Sequence, residues 1–476
     1  MSGRAPLSRR TMLRRSALGF GSLGLYSLLQ QSDLLAEPSA GGPLASKRPH
    51  FAPRAKRIIF LFMHGGVSHV DTFDPKPRLD ADNGKPLPIK RSLTFNAKEA
   101  GGLMRSPWEF KQRGESGIPV SELFPEVATC ADDLCVIRSM VGEGVDHGAA
   151  MLQLFTGTFS FSRPSMGAWT LYGLGTENRN LPGFITIKPT QWQGGDKLFA
   201  TSFLPGAYQG TPIGSSPMAV DDIIDNPIDH VLPQGGSSEE QRLELEFLRQ
   251  MNRRHADERR LDPDLEARIQ AFELAFRMQA EAPEAFDVSR ETDATRRLYG
   301  LDEEVTRDFG WQCLLARRLS ERGVRVVQAT HSGAEEKWDH HGDILRLHPI
   351  RSREVDKPIA GLIKDLKTRG LLEETLVVWG SEFGRTPFSE GADGRDHNPY
   401  GFSIFMAGGG VKPGSIYGAT DEFGYHAVED RMHIHDLHAT ILHLVGLDHE
   451  KLTYRYSGRD FRLTDVAGVV AEKLLA

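Results

Sequence analysis

The chain has 476 residues, with 57 Lys and Arg against 64 Asp and Glu, so its formal net charge is −7. A composition of 39% hydrophobic and 25% charged residues is that of a globular protein and excludes a disordered or fibrous chain. This mildly acidic balance gives no reason to expect a nucleic-acid partner, because nucleic-acid-binding proteins present a basic face.

The first residues have the pattern of an export signal. Basic residues, including the pair Arg9 and Arg10, precede a short and weakly hydrophobic stretch at residues 16–29. That stretch is too short to span a membrane, and the paired arginines predict a twin-arginine signal peptide. An ordinary secretory signal that happens to contain two arginines is the alternative.

This pattern sets the expected boundaries and location. We expect a signal peptide over residues 1–40, with cleavage near Ala36 or Ala40, and a linker over residues 41–55. The mature protein is then periplasmic, in the cell envelope or extracellular, with no transmembrane segment. The twin-arginine export machinery is an expected partner of the precursor.

After the linker, apolar runs alternate with helical patterns. Continuous apolar runs predict strands that are buried on both faces, at Lys56–Met63, Leu134–Met140, Phe184–Ile187, Val324–Thr330, Thr375–Gly380 and Phe402–Ala407. Helical patterns lie between them, for example at Ile359–Arg369 and His433–Val445. This alternation predicts an α/β domain over residues 56–476, with a mostly parallel central sheet and helices on both faces. Arg78–Ser116, rich in Pro, Gly and Lys, is expected to be an irregular excursion.

Residues 237–282 differ from the rest of the domain. They are dense in Glu, Arg, Leu and Ala, and their apolar spacing predicts two amphipathic helices broken near Pro263. We interpret them as a helical insertion whose charged face is solvated; a surface for envelope assembly is the alternative.

Polar clusters follow the predicted strands, which is where ligands bind in an open α/β sheet. They are His64 to Asp71, Asp146 to Gly148, Trp338 to Asp343, Ser381 to Thr386, and Asp396 to Asn398. Carboxylates and imidazoles suit divalent ions such as zinc or manganese. Two such ions can clamp the attacking and leaving oxygens of a phosphoryl or sulfuryl ester. The pattern therefore favours a metal site at the carboxyl edge of the sheet.

Several longer motifs resemble a known family. They are HGGVSHVDTFDPKP, WDHHGD, SEFGRTP, GRDHNP, MAGGGVKPG and HDLHATILHLVGLDHEKLTYRYSGRDFRLTDV. They resemble the exported domain-of-unknown-function family 1501, which is related to the alkaline phosphatase–sulfatase superfamily, over nearly the whole mature chain. The resemblance implies an alkaline-phosphatase-like fold, one or two divalent ions (zinc, manganese or calcium), and a small-molecule or glycan ester as substrate.

The superfamily pattern also implies roles for particular residues. The metal ligands it implies are Asp71, Asp339, His341, Glu382 and His397, with His64 competing with Asp71 for the first position. Arg385 would clamp an oxyanion through its guanidinium, or else form an ordinary ion pair. Phe383 stands where the superfamily has a histidine ligand, which removes one nitrogen from the second metal site.

The usual nucleophile is also absent. In the superfamily that the sequence resembles, a Cys, Ser or Thr begins the helix that leads to a Thr-Gly pair. Counting back from Thr156 and Gly157, this pattern implies a position at about His147, where no hydroxyl or thiol is available. The usual covalent route is therefore not expected. Water activated by a metal ion can attack directly with His147 as general acid or base, which we prefer, or His147 can itself be the nucleophile.

The resemblance thus implies an exported, metal-dependent hydrolase of phosphate or sulfate esters. The alternative is a non-catalytic envelope protein that binds a metal or an anionic glycan. The C-terminal histidines have partly helical spacing and are not expected to be ligands; they are His433, His435, His438 and His443.

Overall fold

The structure, a computed structural model, describes residues 42–225, 227, 243, 246–248, 250–251, 273–274, 277–278 and 281–476. The predicted signal peptide and most of the predicted helical insertion lie outside the described residues. Residues Ser46–Ala476 form one compact unit, which contains the predicted α/β domain.

The described residues contain strands β1 to β18. In chain order they are Arg57–Met63, Ala100–Leu103, Phe110–Arg113, Ile118–Ser121, Leu134–Val141, Phe184–Ile187, Thr211–Ile213, Val326–His331, Thr375–Gly380, Gly384–Glu390, Gly394–Asn398, Phe402–Ala407, Ser415–Tyr417, Ala419–Thr420, Ala427–Glu429, Met432–His433, Tyr454–Tyr456 and Arg459–Phe461.

The described residues also contain α-helices, which we label α1 to α9. In chain order they are His69–Thr72, Pro77–Ala81, His147–Thr156, Met166–Leu174, Val220–Asp225, Asp293–Leu298, Glu304–Glu321, Ile344–Thr368 and Ile434–Leu444. Among these described helices, none combines the length and hydrophobicity that crossing a bilayer requires.

The central sheet has the order β13-β5-β12-β9-β1-β8-β6-β7, and β16 also pairs with β5. Strand β1 is parallel to both of its neighbours, β8 and β9. Strand β12 is antiparallel to β5 and β9. The other pairings in this sheet, β5 with β13 and β16 and β6 with β7 and β8, are parallel. The sheet is therefore mostly parallel, as predicted, and the α/β class is confirmed.

Both faces of this sheet are covered by helices, as predicted. Along β1, Ile59, Leu61 and Met63 belong to the core that includes residues of α7 and α8. The alternate residues Phe60 and Phe62 contact Phe155 of α3, with ring centroids 5.4 and 5.0 Å apart. The continuous apolar run in the sequence thus reflects a strand that is buried on both sides.

Two buried histidines of this core are held as neutral imidazoles. Trp338 donates its Nε1–H to Nδ1 of His331 at 2.9 Å, so Nε2–H of His331 donates to Glu354 at 2.7 Å. Nε2 of His438 donates to the carbonyl of Leu154 at 2.7 Å. Burial, with the charge of Lys337, lowers the pKa of His331 to about 4. Burial lowers the pKa of His438 to about 3.

From the lowered pKa values of these two histidines, we predict that the protein is less stable in mild acid. Both imidazoles bind protons more readily in the unfolded chain, where their pKa is near 6.5, so stability is complete above that pH and falls below it. At pH 5.5 each lowers the free energy of unfolding by about 1 kcal/mol relative to pH 7. Urea unfolding across this range measures the loss. H438Q should flatten the profile, and an unchanged slope in H438Q would refute the assignment for that residue.

Candidate functional site

Four loops at the carboxyl edge of the sheet bring their polar residues together. His64 directly follows β1, and Glu382 is the second residue after β9. His147 is the first residue of α3, after β5, and Asp339 lies in the loop after β8. The hairpin β10–β11, which follows Glu382, adds the last member, His397. The residues that follow β1, β5, β8 and β9 therefore meet in space.

The first group of candidate ligand atoms belongs to His64, His147 and Glu382, which are all buried. Nδ1 of His147 lies 2.6 Å from Oε1 of Glu382. The carboxylate of Glu382 also accepts hydrogen bonds from the backbone N–H of Gly65 at 2.9 Å and from Oγ of Ser381 at 2.7 Å. Glu382 is thus fixed with one oxygen toward the imidazole of His147.

The second group is built around Oδ1 of Asp339. It lies 3.3 Å from Nε2 of His147, 3.2 Å from Nε2 of His397 and 2.9 Å from Nε2 of His341. The Nε2 atoms of His341 and His397 are themselves 3.0 Å apart. Of the predicted ligands, the structure thus brings Asp339, His341 and His397 into one cluster, with His147 between this cluster and Glu382.

A third group joins His341 to Glu390 and Asp396. Nδ1 of His341 donates to Glu390, which ends β10. Glu390 is not among the predicted site residues, because an acidic residue before a hairpin turn gives no recognisable signal in the sequence. Asp396 accepts hydrogen bonds from the backbone N–H groups of Asn96 and His397, at 2.8 and 2.7 Å.

The two glycines after His64 allow the loops to approach this closely. A Cβ atom on Gly65 would lie 2.6 Å from the backbone nitrogen of Asp339, and one on Gly66 would lie 2.6 Å from the ring of Phe383. Both glycines also have positive φ angles, 119° and 81°, which disfavour other residues. Their role is to let the β1 loop pack directly against the metal-ligand candidates.

Contacts between buried carboxylates and imidazoles determine the direction in which the pKa values of the cluster are shifted. Burial alone would lower the pKa of His147, but Asp339 and Glu382 raise it to about 9. Burial would raise the pKa of Glu382, yet the contacts with His147 lower it to about 2. The pKa of Asp339 is lowered against its burial by Arg385 and the surrounding histidines. The carboxylates are thus kept charged and available to a cation.

The residues present fit a metal site by the way their imidazoles are oriented. Nδ1–H of His397 donates to the carbonyl of Val145 at 2.7 Å, Nδ1 of His64 contacts Oγ of Ser332 at 2.8 Å, and Nδ1 of His341 donates to Glu390. Metal-binding histidines use one nitrogen in this way and offer the other to the ion. Nε2 of His64 is buried and makes no hydrogen bond within the described residues.

The structure places Asp71 outside this cluster, which corrects its predicted role as a ligand. Its carboxylate forms a two-point ion pair with Arg395, at 2.8 and 3.1 Å, and accepts from Oγ of Ser68 at 2.5 Å. Both side chains of the ion pair are fully buried. The alternative that the sequence left open, His64, occupies the position beside Glu382 instead.

Arg385 also differs from its predicted role. Its side chain is 1% exposed, and its guanidinium donates to the carbonyls of Gly66 and Arg395 and to Oδ1 of Asp339, at 2.9, 3.0 and 2.6 Å. Each of its three nitrogens thus donates to a group of the protein, and the side chain is buried within the site. The core ion pair, the alternative considered from sequence, is what the structure contains.

The rings of Phe383 and His147 pack against each other within the site. The ring of Phe383 contacts those of His397 and His147, with centroids 4.3 and 5.0 Å apart, and supplies no ligand atom. The side chain of Asp146 caps α3, the helix that begins at His147, by accepting a hydrogen bond from the N–H of Ala149 at 3.0 Å. The C-terminal histidines make other contacts; for example, Nε2 of His435 donates to the carbonyl of Gly157 at 2.7 Å.

A surface cavity of about 580 Å³ lies elsewhere, lined by residues that include Lys76, Arg105 and Trp108. None of the candidate ligands lines it. Its polar residues are mixed in charge, and Lys76 is already paired with Asp74 at 3.0 Å. We therefore place the candidate site at the carboxyl edge and not in this cavity.

Solved structures with a similar fold include a sulfatase and a phosphonate monoester hydrolase. The PsFucS1 sulfatase from Pseudoalteromonas sp. is 14% identical, with 89% of this chain and 72% of that one covered and a TM-score of 0.37. A protein in the alkaline phosphatase superfamily from Vibrio parahaemolyticus is 10% identical, with coverage of 87% and 71% and a TM-score of 0.35. The phosphonate monoester hydrolase of Agrobacterium radiobacter is 12% identical, with coverage of 84% and 74% and a TM-score of 0.33.

The sequence of the chain matches the model of a protein family. No curated protein matches the sequence of the chain. Residues 55–475 match the family described as "Protein of unknown function (DUF1501)", which is nearly the whole of the chain after the predicted signal peptide. The chain belongs to the DUF1501 family.

Proposed function

We propose that the protein is a metal-dependent hydrolase of phosphate or sulfate esters. The observation that carries the proposal is the pair of ligand groups, His64–His147–Glu382 and His147–Asp339–His397, which adjoin at the carboxyl edge of the sheet. Divalent cations at such an edge suit ester hydrolysis, because they activate a bound water and polarise a phosphoryl or sulfuryl oxygen. The substrate class, a small-molecule or glycan ester, rests on the resemblance of the sequence motifs.

In this proposal the residues of the chain hold two divalent ions. His64 and Glu382 hold the first, and Asp339, His341 and His397 hold the second. When bound, such ions lower the pKa of a coordinated water and neutralise the charge of the ester oxygens. Donor sets rich in imidazole favour zinc over calcium, which prefers oxygen ligands.

The remaining residues of the site position these ligands. Arg385 holds Asp339 and the β1 loop, and Glu390 orients His341. His147, at the position of the usual nucleophile, brings no hydroxyl to the reaction, so our proposal uses water as the attacking group. The predicted acid–base role of His147 stays a prediction, and the contacts of its ring with two carboxylates favour a ligand role instead.

The test is hydrolysis of a panel of phosphate and sulfate esters by protein loaded with zinc, manganese or calcium. We expect turnover that is lost on chelation and lost in E382Q, because Glu382 anchors the first group. E373Q, which changes an exposed glutamate before β9, is the matched control and should retain turnover. Metal-loaded wild type without turnover on any ester would refute the hydrolase.

That last result would instead favour the second candidate function, a non-catalytic protein that binds a metal or an anionic glycan in the envelope. Two features support this alternative: the side chain at the nucleophile position is an imidazole, and Phe383 adds no ligand beside Glu382. The same metal-loaded protein would then bind a sulfated glycan without changing it.

Export by the twin-arginine route is a further part of the proposal. The exchange of Arg9 and Arg10 for lysine should leave uncleaved precursor in the cytoplasm, because the paired guanidinium groups identify the signal to the export machinery. Fractionation of cells that express wild type and R9K/R10K measures this. Normal processing of the variant would contradict the twin-arginine assignment and favour the ordinary secretory signal.

A further inference from the structure

We propose that His147 is a ligand shared by both metal ions. Its Nδ1 binds the ion that His64 and Glu382 hold, and its Nε2 binds the ion that Asp339 and His397 hold. The inference rests on the proposed function only in requiring the same two ions, and it concerns metal binding and not turnover.

The contacts of the ring distinguish His147 from the other histidines of the site. His64, His341 and His397 each direct Nδ1 to an outer group, which leaves one nitrogen for an ion. His147 has no such outer partner among the described residues. Its Nδ1 lies 2.6 Å from Glu382 and its Nε2 lies 3.3 Å from Asp339, and both of these carboxylates are candidate ligands. Because the two nitrogens of an imidazole point in different directions, the ring faces one ligand group with each.

The number of ligands supports the same arrangement. Without His147, the first group contains only His64 and Glu382, and the neighbouring Phe383 offers no donor atom. Protein sites that hold a catalytic zinc ion commonly supply three ligands and leave a position open. The second group keeps three without His147, namely Asp339, His341 and His397. The shared histidine is therefore essential to the first ion and additional for the second.

The ring is also held in place before any ion binds. His147 is 5% exposed, and its helix is capped by the side chain of Asp146. Its ring contacts those of His397 and Phe383, with centroids 4.5 and 5.0 Å apart. When the ions bind, each nitrogen gives its lone pair to one ion, and the protons that the ring carries in the metal-free protein leave to the solvent.

Nuclear magnetic resonance of the full-length mature protein tests the inference directly. Protein labelled with ¹⁵N-histidine is loaded with two equivalents of ¹¹³Cd²⁺. We expect one imidazole whose two nitrogens are each split by a different cadmium, while the other ligand histidines show a splitting on one nitrogen. H147Q should lose this ring and bind one cadmium with at least tenfold weaker uptake of the second. H443Q, outside the site, should bind both.

The spectrum of wild-type protein decides the matter even if H147Q does not fold. Cadmium coupling to only one nitrogen of His147, or to neither, overturns the shared ligand, and so does a protein that binds no cadmium. A sample with both couplings that hydrolyses no ester when loaded with zinc or manganese overturns the proposed function while the shared ligand stands.

Discussion

Replacing Asp339 with asparagine should abolish ester hydrolysis and also destabilise the metal-free protein by about 3 kcal/mol. Oδ1 of Asp339 lies 2.6 Å from the guanidinium of Arg385 and within 3.3 Å of three imidazoles. Removing the charge of the carboxylate leaves the buried guanidinium of Arg385 without its counter-ion, and an uncompensated buried charge is costly. Urea unfolding in the presence of a chelator measures the loss of stability apart from the loss of metal.

Asp343 provides the matched control for this experiment. It lies in the same loop, its side chain is 49% exposed, and its ion pair is with the exposed Arg346. D343N should change the free energy of unfolding by less than about 0.5 kcal/mol, as is usual for surface positions. Equal stability of D339N and wild type in chelator would show that Asp339 does not balance the charge of Arg385.

Replacing Asp71 with alanine should lower the free energy of unfolding by about 4 kcal/mol while leaving the metal site intact. Its partner Arg395 is 0% exposed and forms no other ion pair among the described residues. Because Asp71 lies outside the ligand groups, D71A should keep the metal content of wild type. Denaturant unfolding and elemental analysis of the same preparation measure both quantities.

The double variant D71A/R395M separates the ion pair from simple loss of packing. Once both charges are removed, no buried charge remains unpaired, so the double variant should be more stable than D71A alone. A double variant that is less stable than D71A would mean that Arg395 acts chiefly through the carbonyls of Thr386 and Met104. Loss of metal in a folded D71A protein would restore Asp71 to the ligand set.

The sheet could be predicted because its strands are short, continuous apolar runs. Phe184–Ile187, Thr375–Gly380 and Phe402–Ala407 have the predicted bounds. The helix after β8 was harder to predict. Helix α8 begins at Ile344 and contains Pro349 and Pro358, whereas the sequence predicted a start at Ile359. Proline usually ends a helix, because it lacks an N–H, so the pattern before Pro358 gave a misleading boundary.

The site could be predicted in part for a topological reason. Parallel strands end at one edge, so residues that follow them meet whatever their sequence separation. Asp339 and Glu382 both contact His147, as expected of residues at this edge. The topology does not distinguish His64 from Asp71, which is seven residues further along the same segment. The pairing of Asp71 with Arg395 joins positions 324 residues apart, and no local pattern in the sequence indicates it.

The metal content of natively exported protein, purified without chelators or added metal, tests the central claim most directly. Elemental analysis should find close to two divalent ions per chain in wild type and in E373Q, and close to one in E382Q, which loses the first group. A wild-type protein that is folded and carries no divalent metal would contradict the account, because the clustered carboxylates and imidazoles would then serve some purpose other than binding ions.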